Sequence, residues 1–297
     1  MTPSPIDDRS QVLTFEPNQY SSTELVELKG TQTVSLCIPC RDEAATIGQV
    51  VRAFRRGLTS EGGLIDEIIV IDDRSTDFTA RVAREAGADV VNIKSVHATY
   101  GEGYGKGNAL WASLSACSGD IVVWCDGDVT SAEPVWVNNL VAPLLTRPEL
   151  TLVKASFDRP TNNGGGGRTT ELVARPLFSM FAPGLAELRQ PLVGEMAGRR
   201  AALESIGFVE GWGAEVAMLM DLAKLYGFAS IAQVHLGERV HRHRDLTSLG
   251  LQAAEVAATI LDRAGVDLPT EVPVLHRVDG TLNPLNLDER PSLASLR

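Results

Sequence analysis

The sequence predicts an α/β fold with a mostly parallel central sheet, because two kinds of segment alternate along the chain. Between about residues 33 and 130, short apolar runs typical of strands alternate with segments whose apolar residues recur at helical spacing. The connections are short, and this order is typical of doubly wound parallel sheets. Ligands of such sheets bind beyond the carboxyl ends of the strands, where this chain has PCRDE, DDRS and DGD. One edge of the sheet is therefore the expected binding site.

Each predicted element has local evidence of its own. The strands are predicted at TVSLCIPC, DEIIVIDD, DVVNI and DIVVWCDGD. The helices between them are predicted at EAATIGQVVRAFRRGL, STDFTARVAREAGA and GKGNALWASLSACSG. Ser75 or Thr76 is a suitable N-cap for the second helix, and Gly87 is a suitable end for it. Gly119 ends the third helix. Later, SLGLQAAEVAATILDRAG has an apolar stripe that indicates packing on the core or on a second copy.

Changes in composition divide the chain into four parts. Residues 1–30 are polar and rich in Pro and Ser, so we expect a loosely attached arm with a short helix at STELVEL. Residues 31–130 hold the alternating pattern, and residues 131–267 form a second half of different character. Residues 268–297 are Pro-rich and irregular, which indicates a tail that wraps the body or reaches a partner subunit.

Charge and hydropathy exclude several classes of function. The chain has 27 Lys and Arg against 38 Asp and Glu, a formal charge of −11, which argues against nonspecific binding to nucleic acid or to anionic membranes. No apolar run approaches the ~20 residues of a membrane span. The N-terminal stretch MTPSPIDDRSQ is acidic and polar, unlike a signal peptide. We therefore expect a cytoplasmic protein without stable membrane insertion.

The cysteines indicate no dedicated chemistry. Cys37 and Cys40 form a CxxC, a spacing found in zinc and redox sites. Cys37 lies inside an apolar run, however, and no second CxxC follows. Together with Cys117 and Cys125, these residues are best interpreted as plain thiols in a reducing compartment.

Two aspartates, Asp126 and Asp128, directly follow the apolar run of the fourth strand. In an extended chain their side chains point to the same side. Like charges held together repel each other unless a cation lies between them. Carboxylates and phosphate oxygens are ligands that Mg²⁺ prefers, so the motif predicts a site for a divalent cation and a diphosphate. Because short acidic triplets are common, a plain acidic loop is the alternative.

Two later segments are candidates for binding anions. The run Gly164 to Gly167 exposes backbone N–H groups, and Arg168 follows at the start of a helix expected near Thr169. The alternative is a flexible surface loop. Further on, a basic cluster follows a short predicted strand, and its alternative interpretation is a solvated turn. The members of this cluster are Arg239, His241, Arg242, His243 and Arg244.

Taken together, these motifs resemble those of the GT-A nucleotide-sugar glycosyltransferases, and more specifically the family of glucosyl-3-phosphoglycerate synthases and their mannosyl-transferring relatives. The resemblance covers roughly residues 33–265. Many GT-A enzymes share motifs similar to IPCRDEAATIGQVV, EIIVIDDRSTDFTA, GYGKGNALWASL and CDGD. Narrower motifs are GGGGRTTELVARPLF, QPLVGEMAGRR, GWGAEVAMLMDL and VHLGERVHRHRDL. The resemblance implies a GT-A (Rossmann-like) fold in which residues 31–130 bind the sugar nucleotide and residues 131–267 bind the acceptor and complete the metal site.

The resemblance also implies which residues bind the donor. Lys106 would contact the donor sugar or diphosphate, and Glu215 would hold hydroxyls of the transferred sugar. Without the resemblance, these two would be interpreted as an exposed lysine and a favourably placed acid at helix starts. The pocket for the uracil, ribose and the rest of the nucleoside would be lined by Pro39, Arg41, Glu43 and Asp73.

A metal-dependent transfer with retention of the anomeric configuration is implied as well. Asp126 and Asp128 would hold the donor ribose and the Mg²⁺ or Mn²⁺, with His241 as the third protein ligand of the metal. The acceptor 2-hydroxyl would attack on the face from which the nucleoside diphosphate departs. The backbone carbonyl of Leu192 would lie beside the anomeric centre. The implied catalytic residues are Leu192, Asp128, Lys106 and Glu215.

The implied acceptor is 3-phosphoglycerate. Gly167, Arg168 and Thr170 would bind its phosphate, because an arginine fork, a hydroxyl and backbone N–H groups suit a dianion. Arg239 and His243 would add positive charge near the donor or acceptor phosphate. The resemblance further implies a homodimer.

Some positions depart from the family pattern. Arg41 and Asp42 stand where an uncharged residue and Asn are usual. Asp73 and Arg74 stand where smaller residues are common, so UDP and GDP both remain open as the nucleotide. His243 stands where Asn is expected, and this departure concerns the assignment of the acceptor. GDP-mannose as donor and a different phosphorylated acceptor are therefore kept as alternatives. A non-catalytic sugar-nucleotide-binding protein is the alternative of a different class, and metal-dependent turnover would exclude it.

Overall fold

The structure is a computed structural model that describes residues 11–59, 63–158, 167–239, 246–268 and 273–297. Its strands are β1 (Leu13–Phe15), β2 (Val34–Cys40), β3 (Glu67–Asp72), β4 (Asp89–Asn92), β5 (Ile121–Trp124), β6 (Leu152–Asp158), β7 (Met196–Arg199), β8 (Phe208–Val209), β9 (Ile231–Glu238), β10 (Val274–His276), β11 (Leu282–Pro284) and β12 (Glu289–Arg290). Its helices are α1 (Ser22–Lys29), α2 (Ile47–Leu58), α3 (Thr79–Ala86), α4 (Ile93–Tyr100), α5 (Lys106–Ala116), α6 (Pro134–Thr146), α7 (Arg175–Phe181), α8 (Arg200–Glu204), α9 (Ala214–Tyr226) and α10 (Leu246–Arg263).

A single large sheet forms the centre of the described structure, with the strand order β1-β9-β6-β7-β5-β2-β3-β4. Neighbouring strands are parallel except for β7, which runs antiparallel to both β5 and β6. The predicted α/β fold with a mostly parallel sheet is thus confirmed. The sheet is continuous across residues 31–130 and 131–267, so one framework supports both halves.

Helices cover both faces of this sheet, so β2 is buried on both sides. Leu36 and Ile38 pack into one core with α1, α2, α3 and α6. Cys37, between them, packs into the opposite core with α4, α5, α9 and α10. A strand that is buried on both faces has a continuous apolar sequence instead of an alternating one. The apolar stripe of α10 contributes Val256 and Ile260 to the second core.

Helix α3 begins later in the sequence than the predicted N-cap residues indicate. Its N-cap is Phe78, so the assignment of Ser75 or Thr76 to that position was wrong. The Ser75 hydroxyl instead accepts a hydrogen bond from the backbone N–H of Asp42, and Thr76 donates to the Asp42 carboxylate. Residues 75–78 are therefore a turn that ties two neighbouring strand-end loops together. The predicted end at Gly87 is confirmed, with a left-handed φ of 99°.

One other helix prediction needs correction. Helix α5 ends at Ala116 with Cys117 as its C-cap, so Gly119 does not close it. The backbone N–H of Gly119 instead donates to the Ser35 hydroxyl of the neighbouring strand.

One helix was missed, and another was predicted where it occurs. Helix α4 was not predicted, because it follows β4 directly without an intervening turn signal. The helix expected near Thr169 begins at residue 168, passes through a π-helical turn, Thr170–Ala174, and continues into α7.

The described parts of both termini pack on the body. Strand β1 pairs with β9, and α1 packs against α6. Residues 11–29 therefore belong to the sheet layers and do not form a loosely attached arm. The C-terminal segment pairs β12 with β8 and lies against the loop before α5. The short helix at STELVEL is confirmed, with a capping box between Ser21 and Glu24.

The four cysteines are buried free thiols, which agrees with the interpretation that favoured plain thiols. Within the described ranges, no helix has both the length and the apolar character needed to cross a membrane.

Candidate active site

A cavity of about 490 Å³ lies beyond the carboxyl ends of β2, β3 and β5. It brings together these predicted residues: Pro39, Arg41, Glu43, Asp73, Lys106, Asp126 and Asp128. Strands β3 and β5 are both parallel neighbours of β2, so the loops that follow the three strands must meet at one edge. The edge that the sequence predicted as a binding site is thus an open, polar cavity.

The Asp126-Gly127-Asp128 turn fits closely against the loop after β2. A Cβ atom on Gly127 would come 2.4 Å from the Cys40 sulfur, so only glycine fits between the two aspartates. The Thr46 hydroxyl, just before α2, donates to the Gly127 carbonyl at 2.8 Å. Packing against the loop after β2 therefore favours a glycine at the centre of the DGD motif.

Lys106 is the first residue of α5 and forms ion pairs inside the cavity. Its Nζ lies 2.6 Å from Glu215 Oε1 and 3.8 Å from Asp126 Oδ1. Burial by itself would lower the pKa of Lys106, but Asp126 and Glu215 outweigh burial and raise that pKa. Lys106 is thus firmly cationic. Glu215, at the start of α9, does not line the cavity directly but orients this ammonium group.

Arg239 provides a second cation on the opposite side of Asp126. One guanidinium nitrogen lies 2.6 Å from Asp126 Oδ2 and 3.1 Å from Glu195 Oε1. Burial opposes the charge of Asp126, but Lys106 and Arg239 together lower the pKa of this carboxyl group. Asp126 is therefore a stable carboxylate between two cations, and Arg239 is only 6% exposed.

Asp128 has a different environment from Asp126. Burial, and then the charge of Asp126, raise its pKa. Among the described residues, no basic side chain forms an ion pair with Asp128. A divalent cation would supply the missing positive charge, so the donor set fits Mg²⁺ or Mn²⁺. Within the described part, no three His, Cys, Asp or Glu side chains are arranged so that they could hold a metal ion together, and the predicted third ligand, His241, lies outside that part.

The predicted acceptor residues occupy a separate position. Gly167, with φ of 93°, precedes the turn on which half-buried Arg168 and buried Thr170 lie. None of the three is among the residues that line the cavity. His243 lies outside the described residues, as does the remainder of the glycine run.

Leu192 lies in the turn that leads into β7 and is not among the residues that line the cavity. Two residues further on, Gly194 lines the cavity. A Cβ atom on Gly194 would come 2.3 Å from Asp126 Oδ1. The backbone of this turn therefore lies directly against the first aspartate.

Two of the sequence departures contact each other where Asp73 lines the cavity. Arg74 pairs with Asp73 at 2.9 Å and stacks on the Tyr104 ring, 4.4 Å from its centroid. Burial raises the pKa of Asp73, although Arg74 and Arg41 counteract it. These charged residues thus compensate each other within the wall of the cavity.

Several site residues were missed from the sequence. Lys154 is a buried charge in the apolar strand β6, Glu195 is a buried charge directly before β7, and Glu255 interrupts the apolar stripe of α10. A buried charge inside an apolar pattern is a signal that could have identified these three. Trp212 and Asn286 also line the cavity, and Asn286 belongs to an irregular tail without such a signal.

Residues 35–207 match the model of glycosyl transferase family 2. The chain is 44% identical to a glucosyl-3-phosphoglycerate synthase of Petrotoga mobilis, over 85% of this chain and 82% of the relative. It is 39% identical to a glucosyl-3-phosphoglycerate synthase of Mycolicibacterium smegmatis, over 94% of both proteins.

A solved structure of glucosyl-3-phosphoglycerate synthase from Mycobacterium tuberculosis, in complex with Mn²⁺, UDP-glucose and phosphoglyceric acid, has a similar fold. Its TM-score is 0.88 at 38% identity, covering 97% of this chain and 99% of that one. Another structure of that enzyme, in complex with Mg²⁺ and UDP, has a TM-score of 0.86 at 39% identity, covering 96% and 99%. Since the family model matches more than half of the chain and the relatives align along most of it, the chain belongs to glycosyl transferase family 2 and, within it, to the family of glucosyl-3-phosphoglycerate synthases.

Proposed function

We propose that this chain is a metal-dependent hexosyltransferase that moves glucose from UDP-glucose to the 2-hydroxyl of 3-phosphoglycerate. The proposal draws on relatives that are glucosyl-3-phosphoglycerate synthases, and on a similar enzyme solved with Mn²⁺, UDP-glucose and phosphoglyceric acid together. The observation in this chain that carries the proposal is the pair of cations on either side of Asp126: Lys106, which lines the cavity, and Arg239, which is buried beside it.

These two cations would bind the donor diphosphate. Each already lies between two carboxylates, Lys106 between Asp126 and Glu215, and Arg239 between Asp126 and Glu195. A phosphate oxygen would replace part of these contacts without leaving the cations unpaired. Charge-assisted hydrogen bonds of this kind are among the strongest in proteins.

Asp126 and Asp128 would hold the Mg²⁺ or Mn²⁺, and His241 is proposed as the third protein ligand. When bound, the ion supplies positive charge that stabilises the departing diphosphate. The raised pKa of Asp128 supports this assignment, because a cation would relieve both the burial of this carboxylate and its repulsion from Asp126.

In the transfer, the bond from the sugar C1 to the UDP oxygen breaks, and a bond from C1 to the acceptor 2-oxygen forms on the same face. The proton of the 2-hydroxyl passes to the departing phosphate oxygen, so the site requires no protein nucleophile. Glu215 remains the proposed residue for the sugar hydroxyls, although it pairs with Lys106 and is not part of the cavity wall, and the carbonyl of Leu192 would lie beside C1. Gly167, Arg168 and Thr170 remain the proposed site for the acceptor phosphate.

The test is the release of nucleoside diphosphate from UDP-glucose, GDP-glucose and GDP-mannose, with and without 3-phosphoglycerate, in Mg²⁺, Mn²⁺ or EDTA. We expect release from UDP-glucose that requires both 3-phosphoglycerate and metal. Faster release from GDP-mannose would show that the transferred sugar is mannose and not glucose. No release from any donor, by folded protein that binds Mn²⁺, would contradict the proposed acceptor.

We also propose that the enzyme is a homodimer in the cytoplasm, as the resemblance implies. Light scattering coupled to gel filtration would measure the mass of the assembly. A mass close to the 31.9 kDa of a single chain, at the concentrations used for the activity assay, would contradict the dimer.

A further inference from the structure

Lys154 is a buried lysine for which the proposed reaction has no direct use. It lies in β6, is only 1% exposed, and does not line the cavity. Its Nζ donates a hydrogen bond to the carbonyl oxygen of Val193 and lies 3.6 Å from the sulfur of Met196. Within the described residues, it forms no ion pair with a carboxylate. Burying such a charge is costly, so its position calls for an explanation.

The partner of Lys154 belongs to a three-residue segment, Val193 to Glu195, which we call the active-site floor. Each of its residues contacts a charged group. The Val193 carbonyl accepts from Lys154, Gly194 lies against the carboxylate of Asp126, and Glu195 pairs with Arg239 at 3.1 Å. The active-site floor therefore connects Lys154 to Asp126 and to Arg239, two charged residues of the proposed diphosphate site.

The active-site floor lies just beyond the last residue pair of the ladder between β6 and β7, and Lys154 belongs to that pair. The ladder between β6 and β7 ends with the pair Lys154 and Met196. Beyond this pair, one backbone hydrogen bond of 3.1 Å joins the Ala155 N–H to the Glu195 carbonyl. Further along, the side chain of Gln190 bonds both backbone groups of Phe157. Between these two attachments, Lys154 supplies the hydrogen bond that holds the Val193 carbonyl.

Lys154 also adds positive charge near the site. The four carboxylates Asp126, Asp128, Glu195 and Glu215 are accompanied by the cations Lys106 and Arg239 and, without an ion pair, by Lys154. Opposite charges attract across a protein interior even without contact. Loss of Lys154 would increase the excess of negative charge, which disfavours the approach of a diphosphate.

We propose that Lys154 is a positioning residue for donor binding, which holds the active-site floor in place and thereby sets Asp126 and Arg239 for the diphosphate. The inference rests on the proposed function, because it takes the donor to be a nucleoside diphosphate sugar. Lys154 itself does not touch the substrate. Its effect should therefore appear in the binding of UDP with metal, and in the KM for UDP-glucose, more than in the KM for 3-phosphoglycerate.

The test compares Lys154→Met with Lys29→Met. Lys29 is a matched control, because it is also buried, at 8% exposure, and its Nζ donates to the Leu64 carbonyl at 3.1 Å and to Asp66 at 2.8 Å, away from the cavity. Binding of UDP is measured by calorimetry in Mn²⁺ and in EDTA, binding of Mn²⁺ alone by electron paramagnetic resonance, and unfolding by thermal melting.

We expect Lys154→Met to weaken UDP binding in Mn²⁺ by at least about tenfold, the size typical of residues that orient metal ligands. Lys29→Met should bind UDP as the original chain does, even though its melting temperature falls. Unchanged UDP binding by folded Lys154→Met would overturn the proposal, and so would an equal loss in Lys29→Met.

Two further variants keep the test decisive if Lys154→Met does not fold. Lys154→Gln retains a donor for the Val193 carbonyl but no charge, and Glu195→Gln removes the charged partner of Arg239 from the other end of the floor. Weaker UDP binding in both variants would support the proposal, and unchanged binding in both would overturn it. If the unsubstituted chain failed to bind UDP, the proposed function itself would fail, which is a different result from any change between variants.

Discussion

Asp126 and Asp128 show how neighbours decide the chemistry of identical residues. Asp126 lies between Lys106 and Arg239, which lower its pKa despite burial. Asp128, two residues on, forms no ion pair with a basic residue in the described structure, and burial together with Asp126 raises its pKa. The first carboxylate is thus already compensated by ion pairs with protein cations, whereas the second is the one for which we propose a cation from solution.

Asp128→Asn should therefore weaken Mn²⁺ binding, because the substitution removes the uncompensated carboxylate. We expect a loss of at least about tenfold in Mn²⁺ affinity and a similar or larger loss of UDP release, since metal ligands act in both steps. Mn²⁺ titration by electron paramagnetic resonance measures the first effect. Asp279→Asn, at an exposed turn of the tail, is the control and should bind Mn²⁺ normally. Normal Mn²⁺ affinity in Asp128→Asn would refute the assignment.

The lowered pKa of Lys154 predicts that the stability of the fold depends on pH. Burial lowers its pKa from 10.5 in the unfolded chain to about 8, so the folded state releases this proton first. Between about pH 8 and 10.5 the unfolded state holds more protons, and the free energy of unfolding therefore rises with pH. This contribution, on the order of 3 kcal/mol at most, should be absent from Lys154→Met.

Urea unfolding of both proteins at several pH values between 7 and 9.5 would measure this difference. The stability of the original chain relative to Lys154→Met should increase as the pH rises. A difference that stays constant over this range would show that Lys154 is not the group responsible.

At the scale of the elements, the site is built from the ends of parallel strands and from one antiparallel insertion. Strands β2, β3 and β5 bring their following loops together at one edge. Strand β7 enters between β5 and β6 in the opposite direction, so the turn before it reaches the same edge. This reversal places the active-site floor directly against the loop after β5.

Gly194→Ala tests how closely the floor and the DGD turn fit. The added Cβ would lie 2.3 Å from Asp126 Oδ1, so the carboxylate must move away from Lys106 or Arg239. We expect UDP-glucose turnover to fall at least about tenfold, with a stability loss of about 1–3 kcal/mol as for other overpacked sites. Steady-state kinetics and urea unfolding measure the two effects.

Gly57→Ala is the matched control for this substitution. Its Cβ would lie 2.5 Å from Pro134 Cγ, an equally close contact that is remote from the cavity. Its KM for UDP-glucose should be unchanged. If Gly194→Ala kept full turnover, the close fit between the floor and Asp126 would have no functional importance.

At the scale of the whole molecule, the C-terminal segment closes one side of the cavity. Asn286 lines the cavity, donates to the Tyr104 carbonyl at 2.8 Å, and is held through its own N–H by Glu255. Arg290 donates to the backbone carbonyls of the same loop, residues 100–102, and stacks on the Trp111 ring. This loop leads directly to Lys106, so the tail supports the donor site from the far end of the chain.

Arg290→Met should therefore loosen the loop that precedes Lys106. The variant leaves three backbone carbonyls without their charged donor, each of which contributes roughly 1 kcal/mol or more. We expect faster hydrogen exchange across residues 100–106 and a higher KM for UDP-glucose. Arg297→Met, which removes only an exposed partner of Glu204, is the control. Equal exchange in the two variants would exclude a supporting role for Arg290.

The sequence by itself determined the α/β class, the strands from β2 to β5 and the cavity edge. It could do so because a strand buried on both faces must be apolar throughout, and because parallel strands bring their carboxyl ends together. The motifs PCRDE, DDRS and DGD each follow such a strand, so their meeting place depended only on chain order. The same local reasoning failed at α3, because Ser75 and Thr76 are bonded to Asp42, which is remote in sequence.

Only the tertiary structure decided which charges compensate one another. Glu195, Lys154 and Asn286 come from the turn before β7, from β6 and from the tail, and no spacing in the sequence relates them to Asp126. Their contacts depend on the antiparallel insertion of β7 and on the path of the C-terminal segment over the loop before α5. Electrostatic partnership depends on distance in space, which a linear pattern does not contain, whereas burial and periodicity are properties that each segment carries on its own.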